Sequence, residues 1–398
     1  MTTDAAPLAG LTVIDFTRVL SGPYCTMLLA DMGARVIKLE QPGRGDDTRG
    51  WGPPFVNGES AYFLSINRNK ESVTLDLKQT AARRVLESLL ARADVLVENF
   101  RPGTMERLGL SYERLAARFP RLVYCSISGF GQTGPRRNEP GYDAVIQGEA
   151  GLMSITGDAA GPPYRLGVAI SDIVSGMFAA QGITLALLAR FRTERGQHVD
   201  IGMLDATAAL LTYQAGIYFA TGTTPTRMGN RHPTIAPYET FHALDGDFVV
   251  AVGNDEQFRR LCSIIGTESL ATDERFVTNR ARVVHYNELR PLLVERLRTR
   301  AREEWVRDLK AAGVPCGSVR DIAEVLADPQ LDARGMIDTI DHITAGAIRV
   351  LGVPIKLSAT PGSIRTAPPA LGQHTDRILE ECGLSRADIQ ALRDTKTI

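Results

Sequence analysis

Residues 11–39 read LTVIDFTRVLSGPYCTMLLADMGARVIKL, and this stretch decides the fold. A β-rich run over residues 11–16 is followed by the turn Ser21-Gly22-Pro23, a helical pattern over residues 24–32 and a second strand over residues 35–39. A strand, a helix and a strand in this order form a right-handed crossover between two parallel strands. The stretch therefore predicts an α/β fold built on an open parallel sheet.

The alternation continues along the chain, and polar or flexible residues follow two of the later strands. Strands are predicted over residues 72–77, 95–97, 122–128 and 198–203. Asn99 and Phe100 follow the second of these, and Gly129-Phe130-Gly131 follow the third. Because ligands of open α/β sheets bind at the carboxyl ends of the strands, these residues predict a binding crevice.

The glycine pattern disfavours a nicotinamide-dependent dehydrogenase. A dinucleotide fingerprint places GxGxxG directly after the first strand. In this chain Gly43, Gly45 and Gly50 come after the second strand instead.

Asp172 stands at the head of a long apolar helix predicted over residues 173–191. One interpretation is an N-cap, in which the carboxylate accepts N–H bonds from Val174 or Ser175. The other is a nucleophile, kept charged by the helix dipole and reachable past the small neighbours Ser171 and Ser175. The two interpretations are compatible, because a cap holds a nucleophile rigid.

Length and composition predict two domains of an ordinary globular protein. A chain of 398 residues is too long for one core. Residues 221–237 are rich in Gly, Thr, Pro and Arg, which places a boundary there and gives domains of 1–222 and 223–335. Residues 336–398 form a separate C-terminal segment, which starts with a strand pattern.

Charge and targeting signals exclude several classes of partner. The net charge of −1 gives no basic surface for nucleic acid. No uninterrupted apolar run of membrane-spanning length and no signal peptide are found, so we expect a cytoplasmic protein without a membrane partner. Five scattered cysteines and six histidines lack the spacing of a metal site, so no metal is expected.

Nine segments resemble those of family III CoA-transferases, the group that includes formyl-CoA transferase and carnitine CoA-transferase. They include PLAGLTVIDFTRVLSGP (7–23), GARVIKLEQPGRGDDTRGWGPP (33–54), NRNKESVTLDLK (67–78), DVLVENFRPGTMERLGL (94–110), PGYDAVIQGEAGLMSITG (140–157), GVAISDIVSGM (167–177) and RTERGQHVDIGMLDA (192–206). The resemblance implies a large Rossmann-like CoA-binding domain, a smaller α+β domain and a C-terminal segment that returns to the large one. It also implies an interlocked homodimer, acyl-CoA and carboxylic acid as substrates, and no cofactor other than CoA as a substrate moiety.

The resemblance also implies roles for individual residues. Asp172 is the nucleophile, which forms an aspartyl anhydride and then an aspartyl-CoA thioester. The implied substrate-binding residues are Val19, Leu20, Ser21, Tyr142, Asp143, Arg165, Arg231 and His232. The implied CoA-binding residues are Arg49, Lys70, Asn99, Phe100, Arg107 and Met203. The chain departs from the best-studied members at Leu20, where they carry Gln, and in the glycine loop near residues 228–233, where only Gly229 is glycine.

The run RMGNRHPTIAPYETFHALDGDFVVAVGNDEQF (227–258) resembles the dicarboxylate members of the family. Arg231, Arg165 and His232 are candidates for a distal carboxylate, because Arg binds carboxylates bidentately. An ordinary loop histidine and a structural ion pair are the alternatives for His232 and Arg165. The substrates expected are succinyl-CoA or another dicarboxylyl-CoA and a carboxylic acid acceptor, and the departure at the glycine loop argues against formate and oxalate.

Two alternatives remain open at this point. The family contains 2-methylacyl-CoA racemases, which place His before Asp where this chain has Tyr142-Asp143. Tyr, with a pKa of about 10, is a poor proton acceptor near neutral pH, which favours transfer. A CoA-binding protein without chemistry is the second alternative, and the intact motif around Asp172 argues against it.

Overall fold

The structure, a computed structural model, describes residues 6–398 and divides into two compact units. The first comprises the chain up to Leu152 with Leu166–Ala215 and Pro329–Ile398, and the second comprises Met153–Arg165 with Gly216–Asp328. The sequence-based boundaries at 222 and 335 therefore each lie seven residues later than the divisions at 215 and 328. The segment Met153–Arg165 was missed, and it joins the second unit because Arg227 donates to the carbonyls of Asp158 and Gly161.

The first unit carries strands and helices in alternation. Its strands are β1 (Thr12–Asp15), β2 (Arg35–Glu40), β3 (Phe55–Val56), β4 (Glu59–Ser60), β5 (Lys70–Thr74), β6 (Val95–Glu98), β7 (Val123–Ser128), β8 (His198–Gly202), β12 (Ile337–His342) and β13 (Gly346–Leu351). Its helices are α1 (Ser21–Asp31), α2 (Ala61–Ile66), α3 (Ala82–Leu90), α4 (Thr104–Arg107), α5 (Tyr112–Arg118), α6 (Asp143–Glu149), α8 (Ile170–Thr193), α9 (Met203–Ala208), α16 (Pro329–Ala333), α17 (Thr375–Glu381) and α18 (Arg386–Asp394). Helices α7 (Leu152–Ile155) and α10 (Thr212–Thr221) cross the divisions between units.

Six strands form one parallel sheet in the order β5-β2-β1-β6-β7-β8. The α/β parallel sheet predicted from the sequence is thereby confirmed. The chain runs outward from β1 to β5 in one direction and from β6 to β8 in the other. The order thus reverses between β1 and β6, and in doubly wound sheets the ligand crevice lies at such a switch point.

Both faces of the sheet are covered, because the strand residues alternate between two hydrophobic clusters. Ile14, Ile37 and Leu96 pack into one cluster, which α3 and the C-terminal helices complete. Val13, Val36 and Val95 pack into the other, which α1 and α8 complete. The strands are consequently apolar on both sides, as parallel strands between two helix layers must be.

Helix α8 has 24 residues, and by length and composition alone it is the one described helix that could cross a membrane. The sequence criterion of an uninterrupted apolar run does not identify this helix, because Ser175, Gln181 and Thr184 lie within it. One face, including Ala179, Ile183 and Leu187, is buried in the core of the first unit.

The second unit is a smaller α+β arrangement with its own core. Strands β9 (Tyr238–His242), β10 (Asp247–Ala251) and β11 (Cys316–Ser318) form an antiparallel sheet. The helices are α11 (Asp255–Ile264), α12 (Asn279–Val284), α13 (Tyr286–Leu297), α14 (Arg302–Ala311) and α15 (Ile322–Leu326). Phe248, Phe258 and Trp305 are among the buried side chains that hold the helices on the sheet.

Candidate active site

The loop after β1 is held by three buried charged residues: one on β1, one on β2 and one in the loop that follows β2. Asp15 accepts the N–H of Thr17 at 2.8 Å, and the Lys38 ammonium donates to the Thr17 carbonyl at 2.7 Å. Val19 has a φ of 69°, which is strained for a β-branched residue, and Asp46 Oδ1 accepts its N–H at 3.2 Å. These hydrogen bonds stabilise the strained backbone of Val19. They thereby fix the position of Ser21, the first residue of α1.

Asn99 joins the two strands that flank the switch point. Its Oδ1 accepts the N–H of Arg18 at 2.9 Å, and its Nδ2 donates to the carbonyl of the same residue at 2.7 Å. One amide side chain after β6 therefore satisfies both backbone groups of a residue after β1. Both hydrogen bonds need the amide, because a carboxylate lacks the donor.

Asp172 lies where the N-terminal ends of α1 and α8 meet. Gly176 permits the contact, because a Cβ there would lie 2.5 Å from the Ser21 carbonyl oxygen. The backbone and the side chain of Ser21 lie beside the Asp172 carboxyl group, and hydrogen bonding from them acts to lower its pKa. The N–H of a first-turn residue has no partner within its own helix, so the N-terminal end of α1 favours a carboxylate at this position.

The N-cap interpretation of Asp172 is wrong in detail. Helix α8 begins at Ile170, so Asp172 is in the first turn, and the capping carboxylate is Asp143, which accepts the Ser171 N–H at 2.9 Å. The expectation that helix position keeps Asp172 charged is also corrected. Burial, and then the nearby Asp143 carboxylate, raise the pKa of Asp172 to about 7, although the hydrogen bonding from Ser21 opposes the shift.

A cavity of about 190 Å³ lies at the switch point and includes Asp172 in its wall. Of the catalytic, substrate-binding and CoA-binding residues implied by the resemblance, seven line this cavity: Val19, Ser21, Asn99, Phe100, Tyr142, Asp172 and Met203. Gly129, which was predicted to lie at the crevice, lines it as well. Leu20 is buried directly between two of them, and Asp143 is connected to the site through Ser171. Tyr142 is 69% exposed, so the wall of the cavity reaches the solvent at this residue.

A second cavity of about 280 Å³ adjoins the first and shares Arg18 and Phe100 with it. Leu75, Lys78 and Leu108 are among its other wall residues, which combines apolar walls with a cation. Arg107 is exposed nearby and donates to Thr104, a wall residue, at 2.9 Å. Lys78 was missed by the sequence analysis, although it closes the segment 67–78 on which the resemblance partly rests.

Lys70 and Arg49 are not available to a nucleotide, which corrects their predicted role. The Lys70 ammonium is buried, and its three donors go to Asp15, Asn67 and the Pro23 carbonyl. Arg49 forms a bidentate pair with Glu40 at 2.8 and 2.7 Å. Except for Asn67, these partners come from other segments of the chain, and charge in the loop sequence alone does not reveal them.

Arg165, Arg231 and His232 belong to the second unit. The Arg231 guanidinium lies 4.4 Å from the centre of the Tyr286 ring, and its Nε is buried without a partner among residues 6–398. His232 Nδ1 accepts the Thr234 N–H at 3.2 Å, and burial lowers the pKa of its ring. Arg165 is exposed. Their predicted role toward a distal carboxylate stays a prediction.

Two further residues near the cavity were missed. Glu98 is buried at the end of β6 and accepts the Phe100 N–H at 2.8 Å, and burial raises the pKa of this carboxyl to about 7. The pKa of Tyr62 rises to about 12 through burial and the charges of Asp172 and Asp143. The only feature of the sequence that could have pointed to Glu98 is its position next to Asn99 in the segment 94–110. Residues 6–398 contain no group of three or more metal-ligating side chains.

The architecture is that of a doubly wound α/β protein with a carboxylate in the crevice at its switch point. The sequence profile of CoA-transferase family III matches residues 8–375, and the chain belongs to this family. It is 42% identical to a succinate–glutarate CoA-transferase of Agrobacterium fabrum over 94% of this chain and 95% of that protein. It is 46% identical to an acetyl-CoA:oxalate CoA-transferase of Acetobacter aceti over 88% of this chain and 89% of that protein. The structure of a CAIB/BAIF family protein from Brucella suis superposes with a TM-score of 0.84 at 44% identity, covering 95% and 99% of the two chains.

Proposed function

We propose that this CoA-transferase moves CoA from a dicarboxylyl-CoA, with succinyl-CoA as the first choice, to a dicarboxylic acid through covalent intermediates on Asp172. The observation that carries the proposal is the Asp172 carboxyl group, which lies with Ser21 in the wall of the switch-point cavity. A pKa of about 7 makes this group a stronger nucleophile than an ordinary carboxylate while leaving a substantial ionised fraction near neutral pH.

The reaction balances without a separate base. The Asp172 carboxylate attacks the thioester carbon of the donor, the C–S bond breaks, and a mixed anhydride and CoA thiolate form. The thiolate then attacks the Asp172 acyl carbon and releases the donor acid as a carboxylate. The acceptor carboxylate attacks the resulting aspartyl thioester, and the regenerated thiolate takes the acceptor acyl group to restore Asp172.

The two cavities suit the two ends of an acyl-CoA. The first would hold the thioester beside Asp172, and the second would hold the nucleotide end, with Leu75 and Leu108 against the base and Lys78 near a phosphate. Phe100 belongs to both walls, so it would lie along the path between the two ends.

The choice of a dicarboxylate acceptor rests on the named relatives and on the run 227–258. Relatives named for glutarate and for oxalate are 42% and 46% identical to this chain. Oxalate should therefore be tested as an acceptor, although the departure at the glycine loop argued against it. One methylene is worth only about 1–3 kcal/mol in a pocket, so glutarate, succinate and oxalate belong in one acceptor panel.

The decisive experiment is intact-protein mass spectrometry after mixing with succinyl-CoA, with Asp172→Asn as the isosteric control. A CoA adduct that maps to Asp172, is cleaved by hydroxylamine and is missing in the variant supports the covalent route. Exchange of solvent deuterium into the α-carbon of a 2-methylacyl-CoA without any adduct would overturn the proposal in favour of a racemase.

We also propose that the chain is a homodimer. Leu185, Leu188 and Phe191 on α8 are 58%, 57% and 80% exposed, which leaves an apolar face opposite the buried one. The interlocked dimer implied by the family resemblance provides a second copy to cover this face. We expect light scattering to give twice the chain mass and Leu188→Glu to weaken the dimer. A monomer, or a protein that partitions into lipid vesicles through α8, would contradict it.

A further inference from the structure

A cavity of about 550 Å³ in the C-terminal segment of the first unit lies outside the site described above. Its polar wall residues are Asp341, His342, Arg365, Thr366, Gln373 and His374. It is separate from the cavity that contains Asp172, with which it shares no wall residue. The hydrogen-bonding state of three of these side chains indicates what the cavity would bind.

His342 carries a buried donor without an acceptor. Its Nδ1 accepts the N–H groups of Thr344 and Ala345 at 3.1 and 3.0 Å, so the proton of the neutral ring is on Nε2. The residue is 3% exposed, and its Nε2 has no hydrogen-bond partner among residues 6–398. A buried unpaired donor is costly, so this N–H calls for an acceptor.

Arg365 and His374 add further donors. Arg365 Nη2 donates to the Ala30 carbonyl at 2.8 Å, whereas its buried Nη1 has no partner within residues 6–398. His374 Nδ1 accepts the Ser72 N–H at 3.1 Å. Burial, with Arg377 and Arg35 nearby, lowers the pKa of the His374 ring despite the opposing charge of Glu71, so the neutral ring carries its proton on Nε2.

We infer that this cavity binds an oxyanion, a phosphate or carboxylate group, through the Nε2–H donors of His342 and His374 and the guanidinium of Arg365. A permanently charged guanidinium with two N–H donors matches the oxygen atoms of such a group. A metal cation does not fit, because both ring Nδ1 atoms already accept backbone N–H groups and both Nε2 atoms carry protons. Asp341 is the carboxylate in the wall, and it is exposed to solvent.

The oxyanion could be a dissolved ion or a side-chain carboxylate of a second copy of the chain. Histidine ¹⁵N spectra separate the two sources, because the chain has only six histidines and none lines either cavity of the transferase site. Inorganic phosphate and, separately, acetate would be titrated at constant ionic strength. For a dissolved oxyanion we expect the Nε2 resonances of His342 and His374 to shift together and saturate. For a second copy, neither oxyanion would move the two resonances, and both would shift instead in the Leu188→Glu protein once light scattering shows it to be monomeric.

The variants are chosen to keep the local fold. His342→Asn and His374→Asn retain an acceptor close to the Nδ1 position, remove only the Nε2–H donor and assign the two resonances. Arg365→Gln retains hydrogen-bonding capacity but loses the charge, and it should weaken phosphate binding about 10-fold or more. If neither the titrations nor the monomeric variant moves the resonances of the two rings, if all six histidines shift alike, or if Arg365→Gln binds phosphate as tightly as wild type, the inference is wrong.

Discussion

The Asp143 carboxylate caps the helix that carries Asp172 and helps to raise the pKa of Asp172. It accepts the Ser171 N–H at 2.9 Å and so fixes the start of α8, while its charge is the second cause, after burial, of the raised pKa of Asp172. One residue thus positions the nucleophile's helix and adjusts the nucleophile's basicity. A capping carboxylate that raises the pKa of its neighbour is the reverse of what the helix dipole alone would produce.

Asp143→Asn should lower the apparent pKa of catalysis. Wild-type kcat/KM is expected to rise with pH around the Asp172 pKa of about 7, because only the ionised carboxyl attacks. Asn keeps an oxygen for the Ser171 N–H but removes the like charge, so the rise should move to lower pH. Glu139→Gln is the matched control, since Glu139 lines the same cavity but pairs with Arg136. An unchanged or upward-shifted profile in Asp143→Asn would contradict this account.

Gly176→Ala should damage both stability and activity. The added Cβ would lie 2.5 Å from the Ser21 carbonyl and 3.3 Å from the Cys25 N atom, which are backbone atoms of α1. Forcing the helices apart is expected to cost about 1–3 kcal/mol and to move Ser21 away from Asp172. Urea unfolding and kcat measure the two effects. Gly167→Ala, where nothing lies within 4 Å of the new Cβ, should be close to wild type in both assays.

Asn99→Asp tests the two hydrogen bonds by which Asn99 holds the backbone of Arg18 across the switch point. The carboxylate can still accept the Arg18 N–H, but it cannot donate to the Arg18 carbonyl, and it brings negative charge to the cavity. We expect kcat/KM for acyl-CoA to fall about 10- to 100-fold, mainly through KM, with little change in the unfolding midpoint. The measurement is steady-state kinetics, with circular dichroism to confirm that the variant is folded like wild type. An unchanged KM would show that these two hydrogen bonds do not position the acyl-CoA.

The sequence predicted what depends on local patterns and missed what depends on distant partners. The parallel sheet follows from apolar runs such as Val13 to Ile14 and from turn signals, so it could be predicted. The three-residue error at the start of α8 arose because its cap, Asp143, lies in another segment. Lys70 was assigned to a nucleotide because its partner Asp15 is 55 residues away, and no local rule pairs them.

Glu98 gives a prediction for stability. Its folded-state pKa of about 7 exceeds its ordinary value of 4.5, so the folded protein binds the extra proton between these pH values. Stability contributed by protonated Glu98 is therefore lost as pH rises from about 4.5 to about 7. The side chain introduced by Glu98→Gln cannot ionise and can still accept the Phe100 N–H. The difference in free energy of unfolding between the variant and wild type should therefore be about 2–3 kcal/mol more favourable to the variant above neutral pH than at acidic pH.

The measurement is urea unfolding of both proteins at an acidic and a mildly alkaline pH. Only the difference between the proteins is used, because other groups titrate equally in both. Glu113→Gln serves as the matched control, since Glu113 is an exposed carboxyl in the nearby helix α5 and should give no comparable gain. A Glu98→Gln protein whose advantage is the same at both pH values would show that Glu98 is not held protonated by burial.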